Sequence, residues 1–371
     1  MGVLFLTFWY PSKENPYQGI FIKNHAAAIH KSGVNLQVLA INIQPSKHIL
    51  QKTVEHFTDE NGVDTHYIHI HSKLHKWIYS IPFLLSKIVS KYINKNIPTE
   101  EVNILHSNVL FPCGVVANSL LKTYLWKHVH TEHWSKMDQF IQKHPFGYLG
   151  RKTLKEADKI SVVSNFLKEK VEPFIQNASK ISVIPNVIDT SIFHWTEQTL
   201  PNSKIVFTAV ATWKSPKCPI FFVKALNEIQ QKSTVSLELN LIGEGPLLQE
   251  IKALPSSIKI NYLGRKKKQE IATILQQSIY FLHASSIETF SVVIAEALCS
   301  GIPVIASEVG AIPELLSSEN GITTQNTVEN WVKAIEKGIH IEYDRKAIAS
   351  NCAQKYNEKK IGELFLEFYR F

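Results

Sequence analysis

The chain has 371 residues, 44% of them hydrophobic and 19% charged, with a formal charge of +8 at pH 7. That is a globular composition long enough for two cores. Cys113, Cys218, Cys299 and Cys352 are scattered with no CxxC pair, which excludes a disulfide framework and a cysteine zinc site and reads as reduced thiols in a cytosolic protein. No apolar run reaches the about 20 residues that span a bilayer. The charge is uneven: residues 1–196 carry 21 Lys and Arg against 14 Asp and Glu, residues 197–371 carry 19 against 18, and 14 of the 16 histidines fall in the first part. The N-terminal half is therefore the one to attract an anionic partner or surface.

MGVLFLTFWY opens the chain without a basic n-region or a small-residue cleavage site, so it reads as a first strand rather than a signal peptide. The loop PSKENPYQG follows, then IFIKNHAAAIHKSG with helical spacing and a stop at Gly33, then the strand NLQVLAI. Further on come the strand NILHSN, the helix GVVANSLLKTY, the strands KHVHTEH and DKISVVS, the helix NFLKEKVEPF and the strand ISVIPN. Short apolar strands alternating with amphipathic helices predict a parallel sheet covered on both faces. Residues 195–204, WTEQTLPNSK, are polar and aperiodic and read as a linker.

The pattern then restarts. KIVFTAV, LELNLIGEG, IKINYLG, IYFLHAS and PVIAS read as strands; FFVKALNEIQQ, PLLQEIKAL, EIATILQQ, SVVIAEALCSG and IPELL read as helices. The expectation is an α/β protein of two doubly wound Rossmann-like domains, residues 1–196 and 197–355, facing a cleft, with chemistry beyond the carboxyl ends of the strands.

Residues 283–314, HASSIETFSVVIAEALCSGIPVIASEVGAIPE, set Glu288, Glu296 and Glu314 in a run otherwise poor in charge. Glu288 falls in the loop after the strand IYFLHAS. The N–H groups of Phe290, Ser291 and Val292 open the next helix, and a helix start binds anions. Glu296 lies about one turn further in, where an ionised carboxylate suits a pair of sugar or ribose hydroxyls. Spacing alone equally allows a solvated loop charge and a helix-surface glutamate.

The segment resembles the donor-site signature of the retaining GT-B glycosyltransferases of family 4, also called group 1. It carries Ser285, Glu288-Thr289-Phe290-Ser291, Glu296, Ala297-Leu298, Gly301-Ile302-Pro303-Val304 and Gly310-Ala311-Ile312-Pro313-Glu314 in the family's order. LIGEGPLL with Gly243, INYLGRKKKQEI, SVIPNVIDTSIF, NGITT, QGIF and TEHW resemble other family segments, so the likeness runs through nearly the whole chain. The resemblance implies a GT-B fold in which residues 356–371 pack back on the first domain and the cleft closes on substrate. It implies that Glu288 holds hydroxyls of the transferred sugar, that the helix start at residues 290–292 holds donor phosphates or sugar, and that Glu296 holds the ribose. Gly19 lets the backbone approach the diphosphate, His133 lies close to the reacting sugar, and Lys217 neutralises the departing diphosphate. The base sits against Leu263, Gly264 and Arg265.

Four positions depart from the family pattern. Thr212 stands where arginine is expected, Cys218 where glycine follows Lys217, and Thr289 and Ser291 replace the glycines beside Phe290. Losing a charge-assisted hydrogen bond costs roughly 1.5–3 kcal/mol; Lys214, two residues on, is the expected substitute.

Other residues carry two readings. His25, about one turn from Gly19, is either an acceptor contact or a helix-surface histidine; His106, ending a strand, is either an acceptor contact or a satisfied structural histidine. His66, His69 and His71 lack a carboxylate at ligand spacing, so no metal is expected. Residues 71–96 read as an amphipathic helix, either packed on the sheet with its lysines in water or lying on an anionic membrane. GxGxxG is absent, which removes the nicotinamide reading, and no nucleic-acid recognition motif occurs.

The expected function is retaining transfer of a sugar from a nucleotide diphosphate sugar, the donor substrate, to a glycan or lipid-linked acceptor, without a metal cofactor. The expected setting is cell-surface polysaccharide, lipopolysaccharide or lipid-linked glycan synthesis in the cytoplasm, at the inner membrane face. The rivals are a non-catalytic sugar-nucleotide-binding or scaffold subunit, for which Thr212, Thr289 and Ser291 speak, and a GT-B nucleotide-sugar epimerase.

Overall fold

The computed structural model describes residues 1–197 and 204–371 and divides the chain into two compact α/β units, Met1–Val187 with Glu358–Phe371, and Ile188–Asn357. Residues 198–203 of the expected linker lie outside the described residues.

The first unit is built on eight strands: β1 (Gly2–Thr7), β2 (Asn35–Pro45), β3 (Gln51–Thr58), β4 (Asp64–Ser72), β5 (Ile104–Asn108), β6 (Lys127–Glu132), β7 (Lys159–Val162) and β8 (Ile181–Val183). Their order is β3-β4-β2-β1-β5-β6-β7-β8, all parallel except β3, which runs antiparallel to β4. Every residue of β1 is buried, because both faces of the sheet are covered. Val3 and Phe5 enter one apolar cluster with Ile22 and Ile29 of the helix Ile20–Lys31; Leu4 and Leu6 enter another with Leu85 and Val89 of the helix Pro82–Asn96. That split is the period of two expected of a strand.

The chain's last helix, Glu358–Phe368, completes the first cluster with Ile361, Phe365 and Phe368. Gly362 lets it approach the helix Ile20–Lys31: a Cβ there would lie 2.5 Å from the carbonyl oxygen of Ala28. Lys31 joins Glu358 at 2.8 Å.

Among its described residues the second unit holds six parallel strands: β9 (Lys204–Val210), β10 (Ser236–Ile242), β11 (Lys259–Gly264), β12 (Tyr280–His283), β13 (Val304–Ser307) and β14 (Gly321–Thr324), in the order β11-β10-β9-β12-β13-β14. Winding runs outward from β9 one way and from β12 the other, so the central pair marks the point where strand order reverses. All carboxyl ends lie along one edge.

Three expectations change. Residues 71–96 are not one helix: residues 71 and 72 end β4, and two helices follow, His75–Ser80 and Pro82–Asn96. Proline lacks an N–H and pushes its predecessor out of helical geometry, and Ile81 sits at φ −113°, ψ 87°. The units divide at Val187/Ile188, ahead of residue 196, because the stretch after Ile188 packs on the second unit. The Ile188 N–H bonds the carbonyl of Tyr356, and the Trp195 ring lies against Gly301. Strand β3 has no counterpart in the sequence reading because it is exposed at every position and shows no period.

Gly362→Ala forces an overpacked helix contact costing about 1–3 kcal/mol, against a helix-propensity gain of about 1 kcal/mol. The expected result is a lower urea midpoint with unchanged slope; an equal or higher midpoint contradicts the close approach.

Candidate functional site

In the second unit the loops at the reversal point bring together residues 71 positions apart. Beyond β9, Lys217 forms a backbone bridge with Ser285, and Cys218 N–H bonds the carbonyl of Ala284 at 3.0 Å. This ties the 214–218 loop to the segment after β12. The Lys217 ammonium donates to Glu288 Oε1 and lies 3.3 Å from Nε2 of His283, which is itself 2.9 Å from Glu288 Oε1. Beyond β13, Gly310 closes the cluster from beneath: its φ is +55°, a Cβ would lie 2.1 Å from the Glu288 carbonyl oxygen, and that oxygen accepts the Ala311 N–H at 3.0 Å.

Burial pushes the Glu288 carboxyl up, but the His283 hydrogen bond and the adjacent Lys217 outweigh it and hold the group at about 2. His283 is buried, and desolvation with the Lys217 charge lowers it, so at pH 7 the imidazole is neutral and Lys217 is the cation. Glu296 lies on the helix Val292–Cys299, where desolvation pushes its carboxyl up to about 7 against a smaller pull from Lys268.

That helix starts at Ser291, whose backbone is left-handed at φ 69°, ψ 77°. A side chain there is strained, by about 1–2 kcal/mol. The replacement of a family glycine thus keeps the glycine geometry, with Ser291 Oγ 3.4 Å from His283 Nε2. Thr289 carries no such strain.

Gly243, at φ +112°, ends β10 and packs on Ala211, whose carbonyl a Cβ would meet at 1.9 Å; Trp213 Nε1–H bonds the carbonyl of Ile242. Thr212 and Lys214 are exposed on that loop. Leu263 and Gly264 end β11, and the exposed Arg265 pairs with Glu244 at 2.9 Å.

The candidates in the first unit meet different fates. Gly19 is left-handed at φ 64° and meets its own chain, since a Cβ would lie 2.1 Å from the carbonyl oxygen of Trp9. His25 is not on a helix surface. It is fully buried, its Nε2 bonds the carbonyl of Pro185 at 2.9 Å, and desolvation lowers it to about 4. His106 is the satisfied structural histidine of its two readings: Nδ1 meets Tyr369 Oη at 2.5 Å, Nε2 meets Thr131 Oγ1 at 2.6 Å, and no nitrogen is left for an acceptor.

His133 differs. It is 5% exposed, and neither ring nitrogen has a hydrogen-bond partner among the described residues. Glu132, which the sequence reading passed over, fixes its backbone. One carboxylate oxygen accepts the N–H groups of His133 and Trp134 at 2.8 Å each, and the other accepts that of Leu110 at 3.0 Å. Leu110 follows Val109, a β-branched residue strained at φ 68°. His283 was also missed; its position at the end of β12, five residues before Glu288, was the available signal. His66, His69 and His71 do not converge on one another, but His66 faces Asp64 and His56, a carboxylate and a histidine that the sequence reading did not pair with it.

Glu288→Gln leaves the Lys217 ammonium without its counter-charge. Against an ordinary carboxyl at 4.5, the depressed Glu288 contributes stability that is complete above that value and is lost as pH falls through about 2. Urea denaturation is expected to show the variant about 3 kcal/mol less stable at pH 7, with the gap narrowing at pH 3. A pH-independent gap contradicts the ion pair.

Two family profiles match most of the chain: Glycosyltransferase Family 4 over residues 18–192 and Glycosyl transferases group 1 over residues 202–340. An uncharacterized glycosyltransferase of Methanocaldococcus jannaschii is 26% identical over 74% of this chain and 78% of its own length. The N-acetyl-alpha-D-glucosaminyl L-malate synthase of Bacillus anthracis is 25% identical over 73% of this chain and 75% of its own. Among solved structures, HepE of Anabaena in complex with UDP superimposes with a TM-score of 0.73 at 16% identity, covering 99% of both chains. The lipopolysaccharide outer core galactosyltransferase WaaB superimposes at 0.72 and 17%, also covering 99% of both. The chain belongs to the group 1 glycosyltransferases and has their GT-B fold.

Proposed function

We propose that this glycosyltransferase takes its sugar from a nucleotide diphosphate sugar and passes it to a hydroxyl acceptor with retention of configuration. The observation that carries the reading is the Lys217–His283–Glu288 cluster at the strand-order reversal beside the helix start at Val292, the place where doubly wound sheets take ligands. The incoming diphosphate competes with Glu288 for Lys217, which frees the carboxylate to accept sugar hydroxyls. First-turn N–H groups of the helix, which have no partner within it, take phosphate or sugar oxygens, and Glu296 takes the ribose diol. Lys214 stands in for the family arginine at Thr212, Gly243 belongs to the donor-binding turn, and the base lies against Leu263–Arg265. His133 keeps the role that the family resemblance gives it, near the reacting sugar, and what supports this is a buried ring with both nitrogens unpartnered among the described residues. Transfer runs on one face of the sugar, the departing phosphate helping to take the acceptor proton, and Lys217 with the helix start supplies the charge work without a metal.

HepE has been solved with UDP and with UDP-glucose. Two relatives are named for N-acetylglucosaminyl transfer: the Bacillus anthracis synthase, and a component of the human phosphatidylinositol N-acetylglucosaminyltransferase that is 28% identical over 65% of this chain and 50% of its own length. Uridine donors, UDP-N-acetylglucosamine first, therefore lead the screen.

The acceptor reading is a glycan or lipid-linked molecule met at an anionic membrane face. Among the described residues no helix is long and apolar enough to cross a membrane. Yet Leu74, Trp77, Ile81, Phe83 and Leu84 are exposed, Trp77 at 71%, between Lys73, Lys76 and Lys87. Apolar side chains ringed by lysines suit the headgroup layer. Flotation with anionic vesicles is expected at low salt and lost in Trp77→Ser/Phe83→Ser; no flotation of the native protein removes the membrane contact.

Calorimetry with UDP, GDP and ADP is expected to show binding of one nucleotide, weakened by Lys217→Ala and Glu296→Ala and by about tenfold in Lys214→Ala. Because the Glu296 carboxyl sits at about 7, affinity falls as pH drops below neutrality and the ribose diol loses its charged acceptor, and Glu296→Gln flattens that slope. No binding by the folded protein favours the scaffold reading.

A further inference from the structure

We propose that His56, Asp64 and His66 form a divalent-metal site of the zinc type that fastens the edge strand β3 to the first sheet. In the antiparallel β3–β4 register His56 stands opposite His66, and Asp64 lies two residues from His66 on the same face of β4. His56 Nε2 is 2.6 Å from Asp64 Oδ1, His66 Nε2 is 3.6 Å from Asp64 Oδ2, and the three ligand atoms all lie within 4.8 Å of one another.

A second observation points to a ligand. The His66 side chain is 4% exposed, and its Nε2, turned toward the carboxylate, has no hydrogen-bond partner among the described residues. Leaving such a nitrogen buried and unused costs free energy. Its other nitrogen, Nδ1, lies 3.0 Å from Tyr92 Oη, and Asp64 Oδ2 accepts from Gln37 Nε2 at 2.9 Å. Outer partners of this kind orient metal ligands. With the proton on Nδ1, donated to the Tyr92 oxygen, His66 Nε2 presents its lone pair to the site.

Zinc takes histidine nitrogen at about 2.0–2.1 Å and carboxylate oxygen at about 2.0–2.2 Å, so tetrahedral ligand atoms sit about 3.3 Å apart. The present separations of 2.6 and 3.6 Å bracket that spacing. The His56 and His66 rings are stacked, 4.0 Å apart at 7°; rotation of the exposed His56 ring brings both planes onto one centre. Water completes the shell. Two imidazoles and a carboxylate suit Zn2+, Co2+, Ni2+ or Cu2+ and disfavour Mg2+ and Ca2+. The need is local. β3 is exposed at every position and forms the rim of its sheet, so little apolar burial holds it, and an unfastened edge is prone to pairing with other chains. A metal held from both strands supplies the missing tie.

The test uses tag-free, chelator-stripped protein with Zn2+ in calorimetry and Co2+ in visible absorption, alongside amide exchange. One equivalent of Zn2+ is expected to bind, to give tetrahedral Co2+ bands, and to slow exchange across Gln51–Thr58 by about tenfold or more when the ion is well above its dissociation constant. His56→Ala, whose side chain is outside the core, and Asp64→Asn are expected to lose all three effects while melting like the stripped native protein and binding nucleotide unchanged. No zinc binding, binding equal in His56→Ala and Asp64→Asn, or zinc that leaves 51–58 exchange untouched overturns the proposal.

Discussion

The site depends on the partly buried ion pair between Lys217 and Glu288. Neither charge is stable alone in that position: an ammonium and a carboxylate taken from water each lose several kcal/mol of solvation, and their attraction recovers it only at good geometry. The geometry comes from topology. β9 and β12 are neighbours from which the chain winds outward in opposite directions, so the loops leaving their carboxyl ends are thrown together. Lys217 is bridged to Ser285 by backbone, Gly310 supports Glu288 at a distance only a glycine permits, and His283 donates to the same carboxylate oxygen. Such a pair is a poor way to gain stability and a good way to hold two charges ready at fixed positions.

Three histidines of the first unit, His25, His106 and His133, show how one residue type divides by surroundings. His106 bonds through both nitrogens and ties the last turn of the chain to the sheet through Tyr369. His25 is sealed between Phe365 and His133 with one bond to Pro185. His133 keeps both nitrogens unpartnered while Glu132 gathers three backbone N–H groups around it. Burial holds His133 well below the ordinary imidazole range, so it is neutral at pH 7 and able both to donate and to accept.

Much of this was legible in the sequence. The two α/β units followed from short apolar strands alternating with amphipathic helices, and Glu288, Glu296 and Lys217 stood out by spacing and resemblance. Their pairing did not, because strand order is a long-range property that no local window contains. The resemblance makes Gly19 a position where backbone approaches a ligand; the structure adds that Gly19 and Gly243 both leave room for the chain itself, against Trp9 and Ala211. Ser291 stood out as a replacement for a family glycine, but the left-handed backbone beneath it is not visible in the sequence. Strand β3 escaped because nothing along it is buried, and with it went His56, the cross-strand partner of His66. The helix over residues 71–96 was overdrawn because its apolar spacing outweighed Pro82, and Leu74, Trp77, Ile81 and Leu84 of that spacing face solvent.

The most direct test of the account is release of nucleoside diphosphate from nucleotide sugars by the native protein and by Lys217→Ala, with folding of the variant checked by its melt. Slow release from one nucleotide sugar without acceptor is expected, falling by about two orders of magnitude or more in the variant, because a fixed cation is withdrawn from a leaving diphosphate. Release that ignores Lys217, or none from any nucleotide sugar, would contradict the claim that this ion pair is the donor site.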